Sequence, residues 1–175
     1  MKRKILLCVT GSIAAYKAAA LVRLFVKAGD EVRVAMTPAA CEFVRPLVFQ
    51  TLSRNPVAVG QFAPAADWRP SHVAAAEWAD VALVAPATAN TIAKLAHGIA
   101  DNYATATLLA TRAPLFVAPA MNDGMWENAA TRANIETLRS RGARIVMPGD
   151  GDLACGSAGA GRMAEPEEIF KEIAR

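Results

Sequence analysis

Short runs of Val, Ile and Leu alternate with stretches of helical spacing, and this alternation constrains the fold more than any other feature. Ile5–Val9 is apolar at every position, as expected of a strand covered on both faces. Thr10-Gly11-Ser12 closes that run, and residues 13–27 carry Leu21, Leu24 and Phe25 at helical spacing, ending at Ala28-Gly29-Asp30. A second strand covers 31–36 and stops at Thr37-Pro38; residues 39–53 read as helical or irregular around Pro46, and 54–70 as loop. The pattern then predicts a helix over 71–78, a strand over 80–85 ended by Pro86, and one long Ala-rich helix over 91–111. A strand at 114–118, a helix at 126–141, a strand at 143–147, a Gly-rich loop at 149–161 and a helix at 166–174 complete it. Strands and helices in strict alternation predict an α/β three-layer α/β/α sandwich with a mainly parallel sheet, as a single domain over 1–175.

Composition removes several function classes. With 54% hydrophobic and 20% charged residues the chain is not disordered. Its three cysteines, Cys8, Cys41 and Cys155, are far apart and form no CxxC, which argues against a zinc site or a disulfide scaffold. An odd count with no signal peptide suits a reducing, cytoplasmic compartment. The formal net charge is only +3, and the basic residues are spread without interleaved aromatics, so nucleic acid is not an expected partner. The basic start Met-Lys-Arg-Lys leads into an apolar run too short for a signal segment or a membrane span.

Ligands of open α/β sheets bind beyond the carboxyl ends of the strands, and four such ends are rich in small and polar residues. Gly11-Ser12-Ile13 enters a helix N-terminus, where backbone N–H groups and the Ser12 hydroxyl suit a phosphate; the competing reading makes Ser12 a helix cap. This is neither a G-x-G-x-x-G fingerprint nor a P-loop, which points to a mononucleotide. Pro86-Ala87-Thr88-Ala89-Asn90-Thr91 offers hydroxyl and amide groups among small neighbours, with capping by Thr88, Asn90 or Thr91 as the alternative. Thr37-Pro38 and Ala120-Met121-Asn122 are the other two ends. His72, one of two histidines, lies in a Pro-bordered segment entering a helix, and Cys155 sits in a Gly-rich stretch placed like a flap. Cys8 and Cys41 read as inert small hydrophobes.

In order, Gly11-Ser12-Ile13-Ala14-Ala15-Tyr16-Lys17, Ser71-His72, Pro86-Ala87-Thr88-Ala89-Asn90-Thr91, Pro119-Ala120-Met121-Asn122-Asp123-Gly124-Met125-Trp126 and Ala154-Cys155-Gly156 resemble the homo-oligomeric flavin-containing cysteine decarboxylases. The similarity spans residue 4 to about residue 170, and P-x-M-N-x-x-M-W with the Cys-Gly segment carries most of its specificity. Leu52-Ser53-Arg54-Asn55-Pro56-Val57 is also similar, with Arg54 where the family more usually has Gly. The resemblance implies a Rossmann-like flavoprotein that binds FMN. Gly11, Ser12 and Ile13 would lie on the phosphate side, Thr37 and Ser53 would contact the cofactor, Thr88, Ala89, Asn90 and Thr91 would hold the phosphate–ribityl region, and Ala120 would approach the flavin.

The same resemblance implies that FMN oxidises a substrate thiol to a thioaldehyde, easing loss of the carboxylate, and that the resulting enethiol is then re-reduced. His72 would be the base or orienting group, Asn122 would hold the substrate carboxylate, and Cys155 would be the proton donor. Met125, Trp126, Ala154 and Gly156 would shape the substrate site, and Arg162 is assigned to a substrate phosphate. Cys155 favours the branch acting on phosphopantothenoylcysteine in coenzyme A biosynthesis over the peptidyl-cysteine branch, which stops at the enethiol. Flavin prenyltransferases and a non-catalytic flavoprotein interaction module are further readings; the first lacks P-x-M-N-x-x-M-W and the second would carry an acidic tail. The family further implies a homotrimer or dodecamer with FMN at the subunit interface, His72 reaching a neighbour's flavin, and a fused or separate phosphopantothenate–cysteine ligase.

Overall fold

The first apolar run forms β1 (Lys4–Val9) and feeds α1 (Ala15–Lys27) in a computed structural model that describes residues 2–62, 69–152 and 158–174. Gly29, at φ +89°, takes the left-handed turn that stops this helix before β2 (Glu31–Met36). A 3-10 turn (Pro38–Glu42), α2 (Pro46–Ser53) and the short β3 (Val57–Ala58) follow. Then come α3 (Ser71–Trp78), β4 (Val81–Ala87), α4 (Ala89–His97), α5 (Tyr103–Ala110), β5 (Leu115–Pro119), α6 (Asp123–Glu127) and α7 (Ala129–Ser140). The chain ends with β6 (Arg144–Ile145), β7 (Gly149–Asp152), β8 (Ala158–Arg162) and α8 (Pro166–Ala174).

Four expectations are corrected. The single helix over 91–111 is two helices: Gly98 at φ +69° ends α4, and Asn102 with Thr105 forms a reciprocal capping box that starts α5. The helix over 126–141 is also two, divided at Asn128, whose side chain accepts from the Ala130 N–H. Pro86 does not end its strand, because the ladder shifts register between Val84 and Ala87 where the missing N–H falls. The Gly-rich segment holds an antiparallel hairpin, β7 on β8, where no apolar period had signalled strands.

The six strands β1 to β6 form one sheet in the order β3-β2-β1-β4-β5-β6, and every pair is parallel. Alternate residues of β1 serve opposite faces. Ile5, Leu7 and Val9 pack with Leu21 and Phe25 of α1 and Ile169 of α8, while Leu6 and Cys8 pack with Ile92, Tyr103 and Ile135 on the other side. This double coverage is why the run shows no polar alternation. Burial pushes the Cys8 thiol up to about 12, so it stays protonated and acts as a small core side chain, as expected. The strand order reverses direction between β1 and β4, which opens a crevice at their carboxyl ends. Among the described residues no helix is long and apolar enough to cross a membrane.

Candidate active site

A cleft of about 660 Å³ lies over that switch point. Gly11, Ser12 and Ile13 line it from the β1–α1 turn, Thr88 and Ala89 from the β4–α4 junction, and Ala120, Asn122 and Met125 from the β5–α6 junction. Gly161, Arg162 and Met163 close one side from the hairpin and its exit, and Tyr16, Lys17 and Phe43 complete the wall. Nine of the residues expected to bind ligand are therefore brought together: Gly11, Ser12, Ile13, Thr88, Ala89, Ala120, Asn122, Met125 and Arg162.

Local chemistry explains the shape. At Gly11 a Cβ would stand 2.6 Å from the Ala39 Cβ, so only glycine lets the 3-10 turn approach β1 this closely. The N-cap of α1 is Ala14, which makes no side-chain cap; Ser12 precedes it, and its Oγ accepts from the Ala14 N–H at 3.3 Å. Thr88 both caps α4, accepting from the Thr91 N–H at 3.3 Å, and lines the cleft. Its own N–H donates to Thr10 Oγ1 at 3.1 Å. Asn122 caps α6, its Oδ1 accepting from the N–H groups of Gly124 at 2.9 Å and Met125 at 3.4 Å. The hairpin is pinned over the site where the Met121 N–H donates to the Gly161 carbonyl at 3.0 Å.

Other expected residues fall outside the cleft lining. Thr37 is buried and caps the 3-10 turn, accepting from the Ala40 N–H at 3.2 Å. Ser53 is buried at the end of α2, its Oγ accepting from the Asn55 N–H at 3.2 Å. Thr91 is buried beneath Thr88, and Asn90 is exposed beside it. Trp126 is only 2% exposed and anchors α6 in the core, with the Arg132 guanidinium 4.8 Å above its ring. His72 is half-buried in the first turn of α3, where the Tyr103 hydroxyl donates to the Ser71 carbonyl at 3.1 Å. Ala154, Cys155 and Gly156 lie outside the described residues.

Two participants were missed. Thr10 joins two strand ends from below the cleft; its hydroxyl donates to the Pro86 carbonyl at 2.7 Å. Lys17 is 7% exposed and donates to Glu165 Oε1 at 2.9 Å and to the Met163 carbonyl at 3.2 Å. The signal was legible: Lys17 lies four residues before Leu21 on the buried stripe of α1, and a lysine on a core face requires a partner.

The described lining contains no carboxylate, and its charged members are Lys17 and Arg162. Two helix N-termini, those of α1 and α4, border the same cavity, a setting that favours an anionic group. The walls are otherwise small or apolar, with Ile13, Tyr16, Phe43 and Met125 exposed at the rim. A cleft over the switch point of a doubly wound sheet is where proteins of this architecture bind nucleotides and flavins.

The chain belongs to the Flavoprotein family, whose model matches residues 1–175. It is 52% identical over 169 residues to the coenzyme A biosynthesis bifunctional protein CoaBC of Bacillus subtilis, covering 97% of this chain and 42% of that one. It thus spans about two fifths of the length of such bifunctional relatives. It is 46% identical to a probable phosphopantothenoylcysteine decarboxylase of Streptococcus mutans, covering 99% of this chain and 98% of the relative. A cysteine-to-serine mutant of PPC decarboxylase complexed with pantothenoylaminoethenethiol matches with TM-score 0.88 and 33% identity, over 99% of this chain and 97% of that one. The FMN binding protein AtHal3 matches with TM-score 0.85 and 34% identity, over 99% and 96%.

Proposed function

We propose that the chain decarboxylates 4′-phospho-N-pantothenoylcysteine to 4′-phosphopantetheine, using FMN held in the switch-point cleft. The observation that carries the reading is the cleft itself, with no carboxylate among its described lining residues and bordered by two helix N-termini, in a chain with a decarboxylase relative matched over 98% of its length. The residues present fit FMN: the volume lies within the range of cofactor sites, the helix ends suit its phosphate, and Ala120 leaves room for a flat ring. Bound FMN would supply the two-electron oxidation of the substrate thiol and the reversal of that oxidation once CO₂ has left.

The chain's own residues bind and orient. Gly11, Ser12 and Ile13, with Thr88 and Ala89, hold the cofactor's phosphate and ribityl end. Capping fixes the Asn122 amide, because its Oδ1 is committed to two backbone N–H groups; its Nδ2 end donates to the substrate carboxylate. Cys155 donates a proton to the enethiol carbon as the product forms. His72 acts as base or orienting group in a neighbouring subunit's site, in keeping with its place off its own chain's cleft. The exposed Ile13, Tyr16, Phe43 and Leu47 supply apolar surface for a trimer or dodecamer. The reaction takes place in the cytoplasm, and a phosphopantothenate–cysteine ligase, fused or separate, supplies the substrate.

The test is direct. The purified protein is expected to show an FMN spectrum, to release CO₂ from phosphopantothenoylcysteine and to yield 4′-phosphopantetheine. Turnover of a C-terminal cysteine peptide instead would transfer the protein to the peptidyl-cysteine branch, and a flavin-bound protein inert toward both would make it an interaction module.

A further inference from the structure

One carboxylate oxygen joins the two cations of the cleft. Glu165 Oε1 accepts from Lys17 Nζ at 2.9 Å and from Arg162 Nη2 at 2.8 Å. The cations differ in what they can offer. Lys17 is buried and is also bound to the Met163 carbonyl, so engaging an outside anion would pull an already desolvated lysine from both of its partners. Arg162 has a side chain 46% exposed, and its bond to Glu165 uses one of five guanidinium donors. The glycine at 151 lies beside it: a Cβ there would stand 3.5 Å from Arg162 Nη1, in ordinary contact. The donated bonds, that from Lys17 foremost, hold the Glu165 carboxyl below the usual glutamate range, so it is an anion at neutral pH. The three groups together carry one net positive charge at the wall of the cleft.

We propose that Glu165 is a specificity-determining positioning residue: by anchoring Arg162 to α1 through Lys17, it holds the Arg162 guanidinium ready to receive the phosphate of the substrate. The inference rests on the decarboxylase reading and adds the basis for choosing phosphorylated over unphosphorylated substrate. An arginine on a hairpin arm loses rotamer freedom when it grips an anion, and a fixed carboxylate removes that loss before the ligand arrives. Fork geometry then allows two donors to the phosphate while a third keeps the carboxylate.

The experiment measures, on the FMN-loaded protein, the dissociation constants of 4′-phosphopantetheine and of pantetheine, which lacks the phosphate. Wild type is expected to prefer the phosphorylated ligand. Arg162→Ala should cut that preference by about tenfold or more, the worth of a charge-assisted hydrogen bond, with pantetheine affinity held. Glu165→Gln should cut it by about threefold to tenfold for the same reason. A ratio unchanged in Glu165→Gln, or a parallel loss of both affinities, overturns the inference and leaves Glu165 a structural residue. If Glu165→Gln does not fold, Arg162→Ala decides on the same ratio. Failure of wild type to release CO₂ from phosphopantothenoylcysteine, or to bind either compound, would instead sink the decarboxylase reading.

Discussion

The Thr10 hydroxyl donates to the carbonyl of Pro86 at 2.7 Å and ties the carboxyl end of β1 to that of β4 at the switch point. The same oxygen accepts from the Thr88 N–H, so one buried side chain sets the spacing of the two strand ends from which the cleft is built. Thr10→Val keeps the shape and removes the hydroxyl, leaving a buried carbonyl and a backbone N–H without it. Urea denaturation is expected to show a loss of about 1–3 kcal/mol. Affinity for the proposed FMN should fall with it, because Thr88 loses its anchor. Unchanged values in both measurements would make the bond incidental.

Arg54 caps α2 with φ +60°, the one described non-glycine residue in the left-handed region. That is the position where the family resemblance led us to expect Gly. A left-handed L-residue costs about 1–2 kcal/mol, and glycine returns about 0.4–1 kcal/mol of that through the entropy of the unfolded chain. Arg54→Gly is therefore expected to stabilise the protein by about 0.5–1 kcal/mol in chemical denaturation. A destabilised variant would mean that the arginine side chain makes a contribution larger than its backbone strain.

The sequence made the strands legible where both faces are buried, because Ile5–Val9 and Ala82–Val84 have no polar position that another element could explain. It misled where capping decides. Gly98 and Asn102 lie inside a continuous Ala- and Leu-rich pattern, and only the positive φ of Gly98 and the reciprocal cap at Asn102 reveal the break. The hairpin was illegible for a different reason: Gly149, Gly151, Gly159 and Gly161 carry no side chain to set a period, and pairing with the partner strand is what makes them strands. Of the candidate site, the glycine and small-residue positions were readable from the strand ends, since those ends are where an α/β sheet binds. Thr10 and Glu165 were not, because their roles depend on partners 76 and 148 residues away.

Acid should loosen the Lys17–Glu165–Arg162 contact. The folded-state pKa of Glu165 lies below its unfolded value, chiefly because Lys17 donates to it. The group therefore stabilises the native state at pH above the ordinary glutamate range, and this contribution is lost as pH falls through the folded value. Wild type compared with Glu165→Gln from about pH 7 to about pH 3 should show the stability difference between them shrinking as pH falls. A difference that stays constant through the acid range would show that the carboxylate charge adds nothing to the native state.

Gly161 is where the hairpin meets the rest of the site. Its φ is +134°, and a Cβ there would run into the carbonyl oxygen of Met121, whose N–H donates to the Gly161 carbonyl. Alanine cannot be accommodated without moving backbone, since the obstructing atom is not the end of a flexible side chain. Gly161→Ala should therefore lift β8 from the β5–α6 junction while leaving the six-stranded sheet, with its separate cores, in place. The expected result is a thermal midpoint within a few degrees of wild type, faster proteolytic cleavage at β8, and the proposed decarboxylation slowed by about tenfold or more through a raised KM. A variant with wild-type KM and wild-type resistance to protease would show that the hairpin can dock without this contact, and would remove Gly161 from the account of the site.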